Sequence, residues 1–126
     1  MINAQIDFFD KLAAEDFKGC IEIFSDNAVF IFPGVPQMEG KRKIEFILKR
    51  IYNKFKSKSG KFSVKKEFTG NDEKNNKFLI IEWENEAEFK TGKQYKNSGA
   101  SILLFNEYGK VVYFRDYLNS TDFSDT

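Results

Sequence analysis

The stretch LLFNEYGKVVYFRDYLN, residues 103–119, decides the fold, because two apolar runs flank the turn sequence NEYGK. Such a pattern predicts a β-hairpin. Successive side chains of a strand point to opposite faces, so Val112, Phe114, Asp116 and Leu118 share one face of the second run. A carboxyl group among apolar side chains is expected to have a raised pKa. Asp116 is therefore a candidate general acid or base, the alternative being a purely structural, hydrogen-bonded role.

The stretch EWENEAEF, residues 82–89, predicts a second kind of strand, with glutamate at every other position. Ionised carboxylates are costly to bury, so the glutamates face solvent and the row containing Trp83 and Asn85 faces inward. The inward amide of Asn85 either satisfies the backbone or lines a cavity. Similar alternation and turn residues predict four consecutive strands, at residues 62–68, 78–90, 94–106 and 111–119.

Helical spacing dominates the first half of the chain. Apolar residues recur at intervals of three and four over residues 2–14, 17–24 and 41–56, and a short apolar strand is predicted at residues 28–32, after the turn sequence SDN. Helices followed by a run of strands predict the α+β class. We expect a single domain over residues 1–126: a cone-shaped half barrel, whose curved, mostly antiparallel sheet wraps around the long helix, with two N-terminal helices and a loose tail at residues 120–126.

Composition excludes several kinds of chemistry. The chain has no histidine and one cysteine, Cys20, so Ser-His and Cys-His pairs cannot form, and neither a metal site nor a cofactor is expected. A net charge of +1 gives no general attraction to nucleic acid or membranes. The N-terminus lacks the pattern of a signal peptide, and a single cysteine fits a reducing compartment, so we expect a cytoplasmic protein.

Three stretches resemble the nuclear transport factor 2-like superfamily, in particular its SnoaL-like branch of polyketide cyclases and ketosteroid isomerase-like proteins. They are AAEDFKGCIEIFSDNAVFIFPG at residues 13–34, MEGKRKIEFIL at residues 38–48 and the hairpin at residues 103–119. The resemblance implies a mostly apolar pocket between sheet and helices. It also implies a homodimer through the convex sheet face, on which Ala100, Ile102 and Leu104 would be covered by the partner subunit.

The resemblance also suggests which residues line the pocket. The expected ligand contacts, in addition to Asp116, are Phe8, Phe32, Trp83, Asn85, Asn97, Ser101, Phe114 and Leu118. Asn85 and Asn97 lie on neighbouring strands, so they either orient a ligand carbonyl or hydroxyl or only satisfy each other and water.

The chain departs from the known catalytic patterns of that superfamily. The position of the ketosteroid isomerase base holds Phe32, and the positions of its oxyanion hole hold Phe8 and Ser101. The His–Asp arrangement of SnoaL-type cyclases would keep only Asp116. Arg115 points away from Asp116, so the Asp–Arg–Asp relay of limonene-epoxide-hydrolase-like enzymes cannot form within this strand.

Three functions follow from these patterns. The favoured one is binding of a small, largely apolar molecule in the pocket. The first alternative is an isomerase, cyclase or lyase that uses Asp116 as general acid or base, with Ser101 and the asparagines stabilising oxyanion charge. The second alternative is a dimerisation or interaction domain with a filled pocket.

Overall fold

The computed structural model describes the backbone of residues 2–120 and the side chains of residues 7–120; the predicted loose tail at residues 120–126 lies outside the described residues except for Ser120. The helices are α1 (Ile2–Ala13), α2 (Phe17–Cys20) and α3 (Lys41–Tyr52). The strands are β1 (Phe24–Ile31), β2 (Met38–Glu39), β3 (Lys61–Asn71), β4 (Lys77–Glu88), β5 (Gln94–Phe105) and β6 (Val111–Leu118).

All six strands form one curved, unclosed sheet in the order β2-β1-β6-β5-β4-β3. Neighbouring strands are antiparallel, except that β1 runs parallel to β6. The predicted α+β class, with helices against a curved and mostly antiparallel sheet, is confirmed. The predicted series of four consecutive antiparallel strands is also confirmed, as β3 to β6.

The alternation predicted for residues 82–89 is confirmed. Trp83, Asn85 and Ala87 are buried on the inner face of β4. Glu84 and Glu86 lie on the outer face, where each forms an exposed ion pair, with Lys65 at 3.1 Å and Lys96 at 3.6 Å respectively. The inner face of the sheet therefore carries the apolar side chains of β4 toward α1 and α3.

The predicted long helix ends earlier than its apolar spacing indicates. α3 ends at Tyr52, because the next residues hydrogen-bond to the end of β4 instead of continuing the helix. Lys56 donates its backbone N–H to the carbonyl of Glu88 at 2.7 Å, and Lys90 donates to Lys54 at 2.9 Å. These hydrogen bonds bring Phe55 against the sheet, beyond the end of the helix.

Two further predictions are wrong: the turn at residues 25–27 and the inward position of Val112. The sequence SDN, at residues 25–27, is not a turn between helix and strand but lies inside β1, where an irregularity in the pairing with β6 accommodates it. The pairing of β5 with β6 also shifts between Leu104 and Phe105. This irregularity places Val111 on the buried face in place of Val112.

Aromatic rings fill much of the interior. The ring centroids of Phe8 and Phe114 are 5.4 Å apart, and those of Phe30 and Phe114 are 5.2 Å apart. Ile44 and Leu48 of α3 complete this core. None of the helices in the described residues is both long and apolar enough to cross a lipid bilayer.

Candidate functional site

A narrow cavity lies between the concave face of the sheet and helices α1 and α3. Its free volume is about 40 Å³, which is room for a few water molecules at most. Most lining side chains are apolar or aromatic, and a few polar groups lie among them. An apolar pocket with few polar groups is the usual form of a small-molecule site.

Seven of the nine predicted site residues line this cavity: Phe8, Phe32, Trp83, Asn85, Phe114, Asp116 and Leu118. The other two, Asn97 and Ser101, are buried but do not line it. Phe114, Asp116 and Leu118 are successive inward residues of β6, as the alternation in this strand predicts. The role of each residue in binding or catalysis stays a prediction.

Asp116 belongs to a short hydrogen-bonded chain behind the cavity wall. Trp83 donates its indole N–H to Ser101 Oγ at 2.9 Å. Ser101 in turn donates its hydroxyl proton to Asp116 Oδ1. The three strands β4, β5 and β6 place these residues side by side, because Ser101 pairs directly with Asp116 and its other neighbour, Ile81, lies two residues from Trp83.

The environment of Asp116 favours its neutral form. Burial raises the pKa of Asp116 from its ordinary value to about 7, although the hydrogen bond from Ser101 opposes the shift. Among the described residues, Ser101 is the one group that donates a hydrogen bond to this carboxyl group. A carboxyl group that titrates near neutrality is able both to donate and to accept a proton under physiological conditions.

Two tyrosines share the cavity wall with Asp116. Burial raises the pKa of Tyr52 well above its ordinary value, and the negative charge of Asp116 adds to the shift. Burial also raises the pKa of Tyr95, against a hydrogen bond from Asn97 that lowers it. Both phenols therefore remain protonated near neutral pH and are potential hydrogen-bond donors.

The two asparagines are direct cross-strand neighbours but do not bond to each other. Asn85 donates to the carbonyl of Lys61 at 3.2 Å. Asn97 donates to the hydroxyl of Tyr95 and to the carbonyl of Ser120, both at 2.7 Å. The alternative in which they satisfy each other is therefore wrong, because each bonds to a backbone carbonyl or a phenol instead; the alternative in which they orient a ligand stays a prediction.

Several lining residues were not predicted from the sequence. Tyr52 follows Leu48 by four residues and so extends the apolar stripe of α3, and Tyr95 lies on the same strand face as Asn97; in both cases the spacing contained the signal. Glu15, Lys56 and Lys58 lie at the mouth of the cavity and come from two separate turns. No local pattern marks them, because only the tertiary fold brings these turns together.

The described residues include no cluster of three or more carboxylate or thiol side chains placed to hold a metal ion. The polar groups of the cavity are one carboxyl group, two phenols, an amide and the charged groups at its mouth. This set is suited to hydrogen bonding and to proton transfer.

Comparison with known proteins places the fold. The model of the SnoaL-like domain family matches residues 6–114. An NTF2-like protein of unknown function from Exiguobacterium sp. 255-15 superimposes with a TM-score of 0.72 at 18% identity, over 93% of this chain and 99% of that one. A candidate SnoaL-like polyketide cyclase from Jannaschia sp. CCS1 superimposes with a TM-score of 0.78 at 12% identity, over 94% and 84% of the two chains.

A third structure, a candidate isomerase from Bacillus subtilis, has a TM-score of 0.72 at 25% identity and covers 94% of this chain and 85% of its own. No curated protein sequence gives a significant match. The curved sheet, the cavity beneath α3 and the family match over residues 6–114 agree with one another. The chain belongs to the SnoaL-like domain family, within the NTF2-like fold.

Proposed function

We propose that the chain binds a small, largely apolar molecule in the cavity, with Asp116 facing a polar group of that molecule. The observation that carries this proposal is the carboxyl group of Asp116 among aromatic and aliphatic walls, away from the other lining carboxyl group, Glu15, at the mouth. A neutral carboxyl group donates a hydrogen bond to a ligand carbonyl or hydroxyl, and the apolar walls accept the rest of the ligand.

The small free volume sets a condition on binding. About 40 Å³ accommodates much less than a drug-sized molecule. Binding therefore requires some lining side chains to move, and the groups at the mouth are those with the most solvent around them. Lys56 and Lys58 are exposed there, whereas Phe8 and Phe114 are fully buried.

Trp83 provides a direct test, because it is the only tryptophan of the chain and it lines the cavity. We expect titration with 1-octanol to change its fluorescence with saturation. Replacing Ala87 on the cavity wall by leucine should abolish the change, since the added atoms occupy the free volume. Ala100→Leu, the same substitution on the outer face, is the matched control and should retain it.

An unchanged fluorescence of the unmodified chain at octanol saturation would contradict binding. That result would favour the alternative function, an interaction domain with a filled interior, over small-molecule binding.

A second candidate function is proton-transfer catalysis by Asp116. It is favoured by the pKa of about 7 and by the position of this carboxyl group on the cavity wall. The resemblance to the candidate isomerase from Bacillus subtilis points in the same direction. Asp116 would remove or deliver the proton, and the phenols of Tyr52 and Tyr95 would stabilise developing oxyanion charge.

Deuterium exchange tests this second function without knowledge of the natural substrate. We expect the chain to accelerate exchange at the α-carbon of 2-tetralone in D₂O, measured by proton NMR, and Asp116→Asn to remove the acceleration. Asp10→Asn, an exposed change on α1, is the control. Equal rates for the unmodified chain and Asp116→Asn would exclude Asp116 as the base for such ketones.

We also infer that two copies associate through the convex face of the sheet. Ile102 and Leu104 lie half-buried on that face, and Phe68 and Tyr117 expose 42% and 50% of their surfaces there. Exposed apolar groups that cluster on one face are typical of an interface.

A free, buried Cys20 fits a reducing compartment, so we propose that the protein is cytoplasmic.

A further inference from the structure

Two turns meet at the mouth of the cavity and are joined by one carboxylate. Glu15 lies in the turn after α1, and Ser57 and Lys58 lie in the loop after α3. Glu15 Oε2 accepts a hydrogen bond from Ser57 Oγ at 2.6 Å and another from the backbone N–H of Lys58 at 2.9 Å. Two donors thus converge on a single oxygen position beside the cavity.

The backbone conformation at this junction would favour glycine at two positions, which glutamate and lysine occupy instead. Glu15 and Lys58 both have a φ of 60°, in the left-handed region that favours glycine. Glu15 ends α1: its N–H bonds to the carbonyl of Leu12, and the N–H of Asp16 bonds to that of Lys11. Glycine usually occupies this position of a helix end. What glutamate adds is the carboxylate that bridges the two turns.

Two lysines lie at the cavity mouth, in the same loop as the two converging donors. Lys56 and Lys58 both line the mouth. The ammonium of Lys56 is bound by Glu88 at 2.7 Å. No carboxylate of the described residues forms an ion pair with Lys58. A hydroxyl, a backbone N–H and an ammonium group form a favourable set for a carboxylate.

We propose that the cavity mouth is a carboxylate-binding site, which Glu15 occupies when no ligand is bound. The ligand is an apolar molecule that ends in a carboxylate. The ligand carboxylate takes the place of Glu15 on Ser57 Oγ and on the N–H of Lys58, beside the Lys58 ammonium. The apolar part of the ligand lies in the cavity, toward Asp116. This inference rests on the proposed binding function and names the class of ligand.

Two independent features fit this arrangement. Binding in a cavity of about 40 Å³ requires movement of its lining, and release of Glu15 would free both turns at the mouth. The charge distribution also favours an anion: residues 41–66 contain eleven lysines and arginines, which exceed the four carboxylates that form ion pairs with lysines of this segment in the described residues. Such a surface attracts a negatively charged ligand to this side of the molecule.

A matched pair of probes tests the head group. Octanoate and 1-octanol share the same chain, and at about pH 6 octanoate is ionised whereas Asp116 is mostly protonated. Isothermal titration calorimetry should show octanoate binding about tenfold more tightly than octanol. Lys58→Met should lower the ratio of the two affinities about fivefold, the effect of one partly exposed ion pair. Lys43→Met, on the exposed face of α3, should leave the ratio unchanged.

Glu15→Gln adds a test of the exchange itself. Glutamine keeps an acceptor for Ser57 and Lys58 but removes the competing negative charge. We expect octanoate to bind this variant severalfold more tightly than it binds the unmodified chain. In ¹H–¹⁵N spectra, the Lys58 amide resonance should move with octanoate and not with octanol.

Equal affinities of the unmodified chain for octanoate and octanol would overturn the head-group assignment and leave apolar binding intact. An unchanged ratio in Lys58→Met would overturn it as well. If neither probe binds, the proposed binding function fails together with this inference.

Discussion

Ser101 donates a hydrogen bond to Asp116 across the β5–β6 pair, and this is the only hydrogen bond to that carboxyl group among the described residues. A carboxylate inside a protein is usually stabilised by several donors or by a cation. Here the hydrogen bond from one hydroxyl is all that opposes the loss of solvation of Asp116 in an apolar cavity. Desolvation therefore dominates, and the pKa of Asp116 rises to about 7.

The raised pKa predicts a stability that falls as the pH rises. The unfolded chain loses the proton of Asp116 near pH 4, whereas the folded chain keeps it to about pH 7. Between these values the folded state binds more protons than the unfolded state, so the free energy of unfolding decreases with increasing pH. The contribution is fully present below about pH 4 and is lost above the folded pKa.

Asp116→Asn should remove this dependence. Relative to the unmodified chain, the variant should gain about 2–3 kcal/mol of stability between pH 5 and pH 8, as an upper estimate. Urea denaturation at several pH values measures the difference, in which the other carboxylates cancel. Asp10→Asn on the exposed side of α1 should show no such trend. A difference that is constant from pH 5 to pH 8 would mean that the folded pKa of Asp116 is near its ordinary value.

Ser101→Ala removes the hydroxyl between Trp83 and Asp116. Because the hydrogen bond from Ser101 lowers the pKa of Asp116, the variant should titrate above about 7. The buried indole N–H of Trp83 also loses its acceptor, which costs about 1–3 kcal/mol of stability. Carbon NMR of the Asp116 carboxyl group measures the first effect, and urea denaturation measures the second.

The matched control is Ser98→Ala, which removes a hydroxyl from the same strand on its outer face. It should change neither the pKa of Asp116 nor the stability by a comparable amount. A pKa of Asp116 that falls in Ser101→Ala would show that water replaces the serine hydroxyl and solvates the carboxyl group better than the serine does.

Strand alternation predicted the inward rows of the sheet, because it depends only on the backbone and on the cost of burying charge. Phe114, Asp116 and Leu118 follow from it, as does the burial of Trp83 and Asn85. The same rule fails at Val111, since a pairing irregularity of one residue reverses the faces and leaves no mark in the sequence. The length of α3 was overestimated for a related reason: hydrogen bonds from β4 compete with the helix for residues 54–56.

Sequence patterns did not predict which residues meet at the mouth of the cavity. Glu15 and Ser57 are 42 residues apart in the chain, and neither belongs to a periodic segment. Their contact depends on how α1 and α3 pack on the sheet. The partners of Ser101 were equally hidden, because strand faces show that it points inward but not that it lies between Trp83 and Asp116.

Gly99 should not tolerate a side chain, because Trp83 and the backbone of Tyr117 occupy the space beside it. A Cβ at this position would lie 3.0 Å from two carbons of the Trp83 ring and in collision with the carbonyl oxygen of Tyr117. Backbone cannot move aside as a flexible side chain can, so Gly99→Ala should lose about 2–3 kcal/mol of stability. Urea denaturation measures the loss.

The control for this substitution is Gly60→Ala, whose Cβ would lie 3.8 Å from Ala13, an ordinary contact distance. It should change stability by less than about 1 kcal/mol. If Gly99→Ala is tolerated equally well, the backbone of β6 is able to move away from β5 at Tyr117, and the close approach does not require glycine at this position.

Ile102 should be central to association of two copies. It lies on the outer face of β5, between Ile80 of β4 and Arg115 of β6, with Leu104 two residues further along. Ile102→Lys places a charge in the middle of this surface, and burying an unpaired charge in an interface is strongly unfavourable.

We expect sedimentation velocity to give a dimer for the unmodified chain of 14.7 kDa and a monomer for the variant Ile102→Lys. Glu73→Lys, in the exposed turn between β3 and β4, should remain dimeric. Because Ile102 points away from the cavity, octanol binding should persist in the monomeric variant, so loss of both properties would indicate misfolding, whereas an unmodified chain that is monomeric at all concentrations would exclude the convex interface.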